Sequence, residues 1–374
     1  MLTSFVVERY RGLENVKVPT LGQFNLFTGM NGVGKTSLAE ALWLFHGRGN
    51  PTILWNVRVQ RSERVGSNPL LKLGGSPISI KAKQSGKWSR FTVAYEEQVS
   101  PIMPQRLVPV PSTSMEEERL RSTERALGVR EALQVSMPLG RLEIEYEEDG
   151  QHRKDVQDVV LHPLAGRVLL PGVQKSIGRP TGIIVTASIP RSPIGDTIER
   201  MSRVIQAGHK DRLVDFLRVV HPSVENIEII AEQGDFSIVA DIGLGQLVPI
   251  EALGGGAVRS LILFVNAYAA QNGLLVVDEI ETGIHHQVLP ALWSQVLQLC
   301  RQFDLQLFAT THSLECVGAA VQASQAKSKG GNGESKKGYD LWIHKLYKAG
   351  ELVRVESYSK EKLRSALELD LELR

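Results

Sequence analysis

The sequence predicts an α/β fold with a mixed, largely parallel central sheet, an antiparallel β lobe and a small helical insertion. Three observations predict it. A glycine-rich loop separates a short apolar strand, Phe24–Thr28, from an amphipathic helix that follows the loop. A strand, a helix and a second strand succeed one another between 274 and 310, which is the βαβ unit of parallel sheets. Short alternating runs between 78 and 146 indicate the antiparallel lobe.

Composition places the chain among ordinary globular proteins. Its 374 residues are 42% hydrophobic, and 43 Lys and Arg residues stand against 41 Asp and Glu residues. The chain can therefore bury a core, but its net charge does not favour nucleic acid or a membrane surface. The segment Met1–Gly12 lacks the apolar stretch of a secretory signal, and Cys300 and Cys316 do not indicate a disulfide framework. We expect a single domain over 1–374, located in the cytoplasm.

The glycine-rich loop fits the phosphate-binding pattern G-x-x-x-x-G-K-[S/T] at every fixed position from Gly29 to Thr36. Its glycines allow successive N–H groups to point inward at phosphate oxygens, and the helix that begins here adds its positive dipole end. Lys35 is expected to reach the β and γ phosphates of ATP, and the Thr36 hydroxyl to bind Mg²⁺. The expected nucleotide-binding residues are Gly29, Asn31, Gly32, Val33, Gly34, Lys35, Thr36 and Ser37.

In the first half of the chain, alternating apolar residues predict a series of short strands. Two short strands before Phe24–Thr28 are expected to form one three-stranded group with it. The segments 1–96 and 141–190 then make up the β lobe and the phosphate loop, and 97–140 is an insertion with a proline-rich part and a helical part. The predicted strands are Phe5–Val7, Val16–Val18, Ile78–Lys83, Phe91–Tyr95, Leu142–Tyr146 and Ile183–Val185.

The second half begins with a helical lid over 191–225, where Ala207-Gly208 separates two amphipathic helices. The remaining segment, 226–374, carries a further group of motifs. Near its end, Gln322–Gly338 has the composition of a mobile loop. The expected elements after it are a hairpin of Leu341–Leu346 with Leu352–Glu356, and a helix over Lys360–Leu369.

A second cluster of chemistry follows the apolar strand Leu274–Val277, which stops at two adjacent acids. Asp278 is expected to hold Mg²⁺, mostly through water, and Glu279 to polarise the water that attacks the γ-phosphate. His312 follows the next predicted strand, Leu305–Thr310, where it is placed to donate to the γ-phosphate. Because the carboxyl ends of parallel strands meet at one sheet edge, the phosphate loop, the acids and His312 should lie together.

A run of three glycines, Gly254, Gly255 and Gly256, precedes a helix and is a candidate for a second anion-binding helix N-terminus. One chain cannot easily bring this run and the phosphate loop to the same nucleotide. A two-fold dimer that sandwiches two ATP molecules is therefore the arrangement that the sequence favours.

These motifs together resemble the ABC-type ATPase heads of the SMC-like class, and most closely the OLD-like AAA-family ATPases. The resemblance covers nearly the whole chain. Its residues are Arg9–Leu13, the phosphate loop, Pro249–Glu251 with the glycines after it, Val277–His285, the Thr311-His312-Ser313 turn and the tail Leu369–Arg374. It implies an Mg²⁺-dependent ATPase that often acts in anti-phage defence, and it implies that Gly254, Gly255 and Gly256 act on the γ-phosphate of a partner copy.

The sequence departs from the family pattern in three places. Gly254 stands where ABC proteins have a signature serine, and no glutamine clearly matches the one that senses the metal, although Gln84 and Gln98 are candidates. No acidic nuclease (TOPRIM) module follows His312, so an effector such as a nuclease or toxin is expected on another polypeptide. Two other functions stay open: a repair or recombination ATPase that acts directly on DNA, and an ATP-gated scaffold in which hydrolysis only resets the protein.

Overall fold

The computed structural model describes residues 1–47, 77–97, 137–148, 150–162, 167–169, 182–187, 195–232, 235–325 and 339–359. Within them, the strands are β1 Leu2–Tyr10, β2 Leu13–Val18, β3 Phe24–Thr28, β4 Ile78–Gln84, β5 Lys87–Glu97, β6 Met137–Glu148, β7 Gln151–His162, β8 Arg167–Leu169, β9 Gly182–Val185, β10 Asn226–Glu232, β11 Asp235–Asp241, β12 Val248–Pro249, β13 Leu274–Val277, β14 Gln306–Thr310, β15 Leu341–Ala349 and β16 Leu352–Ser359. The helices are α1 Lys35–His46, α2 Gly195–Gln206, α3 Lys210–Arg218, α4 Gly255–Ala269, α5 Leu289–Gln302 and α6 Leu314–Gln325, with 3-10 turns at Ile250–Leu253 and His286–Val288.

The central sheet has six strands in the order β16-β15-β3-β14-β13-β9. All of its neighbouring strands are parallel except the terminal pair β15 and β16, which form an antiparallel hairpin. The predicted βαβ unit is confirmed, because β13 and β14 pair in parallel and α5 connects them. The predicted C-terminal hairpin is confirmed as well.

A second, antiparallel sheet of seven strands forms the β lobe, in the order β2-β1-β4-β5-β6-β7-β8. The expectation of one three-stranded group near the N-terminus is wrong. The strands β1 and β2 belong to the lobe, but β3 pairs with β14 and β15 in the central sheet. The lobe boundary at 190 also needs correction, because β9 pairs in parallel with β13. The strands β10, β11 and β12 form a small third sheet before α4.

Side chains that alternate along the central strands divide the interior into two cores, as the period of two in a strand requires. Phe27 and Phe308 belong to the core that contains α1 and the β lobe. Leu26 and Leu307 belong to the core that contains α2 to α6. The phosphate-loop helix α1 and the glycine-run helix α4 therefore pack on opposite faces of the central sheet.

The connecting segments match the sequence predictions only in part. The two lid helices, α2 and α3, are separated at Ala207-Gly208 as predicted. The predicted mobile loop is wrong at its start, since residues 322–325 belong to α6. The insertion residues 98–136 and the predicted helix Lys360–Leu369 lie outside the described residues. Among the helices described, none has the length and hydropathy needed to cross a bilayer.

Candidate nucleotide site

Three neighbouring strands bring the predicted site residues to one edge of the central sheet. The phosphate loop follows β3, the acids Asp278 and Glu279 follow β13, and His312 follows β14. Because β14 lies between β3 and β13 and all three are parallel, their carboxyl ends meet. The sequence predicted this convergence correctly.

The backbone of the phosphate loop requires glycine at two positions. Gly29 and Gly34 have φ of 142° and 107°, in the region that favours glycine. A Cβ on Gly29 would collide with the carbonyl oxygen of Leu346, and one on Gly34 would lie 2.6 Å from Leu13 Cδ2. The loop thus packs closely against β15 and the start of β2, and a residue with a Cβ would not fit at either position.

Lys35 lies inside this loop. Its side-chain ammonium group donates hydrogen bonds to the carbonyl oxygens of Gly29 at 2.7 Å and Met30 at 3.0 Å. Burial lowers the pKa of Lys35, and the neighbouring carboxylates of Glu279 and Asp278 oppose that change. The lysine is therefore a cation held by loop carbonyls at the place where the phosphates of a nucleotide are expected.

The two predicted metal ligands are in direct contact. The Thr36 hydroxyl donates to the Asp278 carboxylate, with Oγ1 at 3.1 Å from Oδ1 and 3.0 Å from Oδ2. Asp278 is only 4% exposed and also accepts a hydrogen bond of 2.6 Å from the Thr310 hydroxyl. A hydroxyl and a carboxylate are hard oxygen donors of the kind that Mg²⁺ prefers, so these residues fit that ion.

Glu279 is held at the sheet edge in an unusual backbone conformation. Its φ is +47°, and its N–H donates to the Thr310 hydroxyl at 2.8 Å. Its side chain is 37% exposed and accepts a hydrogen bond of 3.3 Å from the Thr282 hydroxyl. The carboxylate is therefore accessible to water while its main chain is fixed, which suits a general base.

Thr310 was not predicted as a site residue, yet its hydroxyl orders both acids. We expect Thr310→Val to leave the Glu279 N–H and one Asp278 oxygen without this partner, which lowers the free energy of unfolding by about 1–3 kcal/mol. Thr310→Ser keeps the hydroxyl and should stay close to the native value. Chemical denaturation of both variants measures the difference, and a Thr310→Val chain as stable as the native one would contradict this role.

Glu281 is the second functional residue that the motifs did not single out. One of its oxygens, Oε1, accepts hydrogen bonds from the Thr311 hydroxyl at 2.7 Å and from the His312 N–H at 3.0 Å. The same oxygen lies 3.3 Å from His312 Nδ1, whereas Glu279 Oε1 lies 4.0 Å from it. Glu281 thus orients His312. The third acid in Asp278-Glu279-Ile280-Glu281 is the only sequence signal of it.

The three glycines before α4 differ in their surroundings. Gly254 and Gly255 are exposed, and Gly254 has φ of 91°. Gly256 is buried, and its neighbours leave no room for a side chain. A Cβ there would lie 2.8 Å from Val220 Cγ1 and 3.0 Å from the Gly283 carbonyl oxygen. Gly256 is thus required for packing within the chain. Gly255 begins the helix, where the first backbone N–H groups have no partner inside a helix.

One of the two candidate metal-sensing glutamines lies at the wrong end of the molecule. Gln84 pairs with Leu2, whose N–H donates to Gln306 at the start of β14. The candidate site lies at the opposite end of that strand, after Thr310. Gln98 lies outside the described residues.

Comparisons with known proteins bear on the family and the fold of the chain. Residues 186–317 match the family model described as "AAA domain, putative AbiEii toxin, Type IV TA system". No curated protein matches the chain. Among solved structures, the chain is similar to an Smc head bound to the C-winged helix domain of ScpA, with a TM-score of 0.50 and 12% identity over 97% of this chain and 99% of that one.

Two further SMC heads align over similar lengths at lower scores. The Smc head with an extended coiled coil from Pyrococcus furiosus, bound to the C-terminal domain of ScpA, has a TM-score of 0.48 and 11% identity, covering 99% of both chains. The SMC head domain from Thermotoga maritima has a TM-score of 0.40 and 9% identity, covering 96% of this chain and 98% of that one. By the first of these likenesses, the fold is that of an SMC head, with a mixed, largely parallel sheet beside an antiparallel sheet, and the phosphate-binding pattern follows β3.

Proposed function

We propose that this chain binds and slowly hydrolyses Mg²⁺-ATP, dimerises around the nucleotide and thereby switches a separate effector protein. The observation that carries the proposal is the convergence of Lys35, Asp278, Glu279 and His312 at three adjacent strand ends. Hydrolysis of a phosphoanhydride needs a cation at the phosphates, a metal ligand and a base for water, and each is present there.

The site has the chemistry that ATP and Mg²⁺ require. Loop N–H groups and the N-terminus of α1 suit the phosphates of the substrate, and Thr36 with Asp278 suits the metal. When bound, Mg²⁺ offsets the charge that develops on the phosphate oxygens. Lys35 exchanges the carbonyls of Gly29 and Met30 for phosphate oxygens, because a charged acceptor forms the stronger hydrogen bond.

Glu279 takes the role of general base in this proposal. Its carboxylate is accessible while its N–H is fixed by Thr310, so it can accept a proton from an attacking water without losing its orientation. His312, held by Glu281, donates to the γ-phosphate and responds to whether that group is present. Asp278 keeps its carboxylate on Thr36 and Thr310 and does not compete for the water.

The dimer follows from the position of the glycine run. The helix α4 packs on the face of the central sheet opposite α1, and Gly254 and Gly255 are exposed. Gly255 can therefore meet a γ-phosphate held by another copy of the chain, while the phosphate loop of each copy holds its own nucleotide. Because Gly254 replaces a serine, this contact relies on backbone N–H groups.

The separate effector is proposed from the comparisons. The matched family description names a putative AbiEii toxin of a type IV TA system, and we propose with it a role in anti-phage defence. The Smc head of similar fold is bound to a domain of a different protein, which supports a separate polypeptide as the partner here.

The outer face of the β lobe disfavours direct action on DNA through that surface. Three of its cations are paired with acids on adjacent strands: Lys81 with Glu8 at 2.5 Å, Arg90 with Glu147 at 3.3 Å, and Lys154 with Glu143 at 3.0 Å. Cations that bind phosphate backbone must be available to it, so these three pairs reduce the positive charge that this face offers to a duplex.

The test is ATP turnover by the purified native chain, with and without Mg²⁺ and with and without duplex DNA at two salt concentrations. We expect Mg²⁺-dependent turnover that duplex DNA does not increase. Absence of nucleotide binding would overturn the proposal. Turnover that rises with DNA and falls steeply with salt would favour the repair ATPase instead.

A further inference from the structure

Arg259 lies on α4 one helical turn after the glycine run and is the most deeply buried cation of the described residues, at 1% exposure. Its guanidinium group donates only to main-chain oxygens. Nη2 lies 2.7 Å from the Asp278 carbonyl and 3.1 Å from the Glu279 carbonyl, and Nη1 bonds the Thr186 carbonyl just after β9. One side chain of the glycine-run helix thus binds the main chain of the metal-ligand candidate Asp278 and of the proposed base Glu279.

A second contact joins the same two segments. Gly256 and Arg259 are three residues apart and share one face of α4. Gly256 packs so closely on the Gly283 carbonyl that a Cβ would lie 3.0 Å from that oxygen. The helix α4 therefore contacts both ends of the segment Asp278–Gly283: Arg259 binds its start and Gly256 packs on its end. A shift of the N-terminus of α4 would therefore be transmitted to the Glu279 main chain.

We infer that Arg259 is a positioning residue that couples the two ATP sites of the dimer. The inference rests on the proposed function, in which the glycine run of one copy contacts the nucleotide of its partner. Glu279 acts on the nucleotide held by its own copy. Arg259 connects the glycine run and Glu279 of the same chain. The nucleotide held by the partner therefore sets the position of the base that acts on the chain's own nucleotide.

The chemistry of arginine suits this role. Its planar fork presents donors in fixed directions, so it can hold several carbonyl oxygens at once, which the single ammonium of lysine cannot do with the same geometry. Glu279 also has a φ of +47°, a conformation that needs external support in a non-glycine residue. The acids Asp278, Glu281 and Glu279 favour the charge, although burial lowers the pKa of Arg259 to about 10.

The first experiment compares Arg259→Lys and Arg259→Met with Ser260→Ala, a fully buried neighbour on the same helix. We expect native hydrolysis to depend cooperatively on ATP, with a Hill coefficient above one. Arg259→Lys should keep the native dissociation constant for ATP but lose cooperativity and about ten-fold in kcat. Arg259→Met should lose at least as much, and Ser260→Ala should behave as the native chain.

Two results from these variants would overturn the inference. One is an Arg259→Lys chain with native kcat and native cooperativity. The other is a loss of ATP affinity and of melting temperature together, with cooperativity retained, which is the behaviour of a residue that only supports the fold.

The second experiment leaves Arg259 intact and so does not depend on how its variants fold. A mixed dimer joins a Lys35→Ala copy with a Gly255→Glu copy, purified through two different tags. Each ATP site combines the phosphate loop of one copy with the glycine run of the other, so both changes fall on the same site. The other site keeps a native phosphate loop and a native glycine run. We expect this intact site to turn over about ten-fold more slowly than a native site. Native turnover at the intact site would show that the sites are independent and would overturn the inference.

These outcomes separate the inference from the function on which it rests. A native chain that does not bind or hydrolyse ATP refutes the proposed function. A native chain that hydrolyses ATP with a Hill coefficient of one leaves the hydrolysis in place and refutes only the coupling.

Discussion

Lys35→Ala should abolish ATP binding at micromolar protein and nucleotide concentrations. Lys35 is the cation inside the phosphate loop, and its two carbonyl contacts show that its ammonium can hold two acceptors there at once. Hydrogen bonds to charged groups contribute about 1.5–3 kcal/mol each, so losing two weakens binding roughly a hundred-fold or more. Titration calorimetry with Mg²⁺-ATP measures the change.

The matched control for this variant is Lys17→Ala. It removes the same charge from an exposed position on β2, away from the loop. Lys17→Ala should bind ATP as the native chain does. A Lys35→Ala chain with ATP affinity within two-fold of this control would show that the loop does not hold the nucleotide.

Glu279→Gln should keep ATP binding but lose hydrolysis. The amide preserves size and can still accept from the Thr282 hydroxyl, but it cannot take a proton from water. General-base catalysis contributes about 10²–10⁴-fold to a rate, so we expect kcat to fall by at least a hundred-fold. Single-turnover hydrolysis measures this, and Glu14→Gln, at an exposed position on β2, is the control.

The outcome of Glu279→Gln also decides between two functions. Hydrolysis as fast as in the native chain would refute Glu279 as the base. Slow hydrolysis with undiminished biological activity would favour the ATP-gated scaffold, in which binding alone matters.

Local patterns in the sequence predicted most elements, because a phosphate loop, an apolar strand that ends in acids and an amphipathic helix each have a composition of their own. Sheet membership was not predictable in the same way. The run Phe24–Thr28 resembles β1 and β2, yet it pairs with strands about 280 to 320 residues later. Helix α6 was not predicted, because its sequence is rich in small and polar residues and shows little apolar periodicity. The helix is stabilised by packing on α5, for example through the contact between Cys316 and Trp293.

Within the candidate site, the residues proposed to perform chemistry were predictable and those that orient them were not. Lys35, Asp278 and Glu279 belong to motifs whose spacing has a chemical reason. Thr310 and Arg259 act through long-range contacts with the backbone or carboxylates of those residues. Such contacts leave no local pattern, because any donor brought near by the fold would serve.

The central claim is that two chains close around ATP, and the most direct test is the molar mass of Glu279→Gln in solution. Light scattering should give about 41.3 kDa without nucleotide and about twice that value with Mg²⁺-ATP. Gly255→Glu in the same background should bind ATP and stay at the lower mass, because its carboxylate repels the partner's γ-phosphate. A Glu279→Gln chain that binds ATP and remains at 41.3 kDa would contradict the claim.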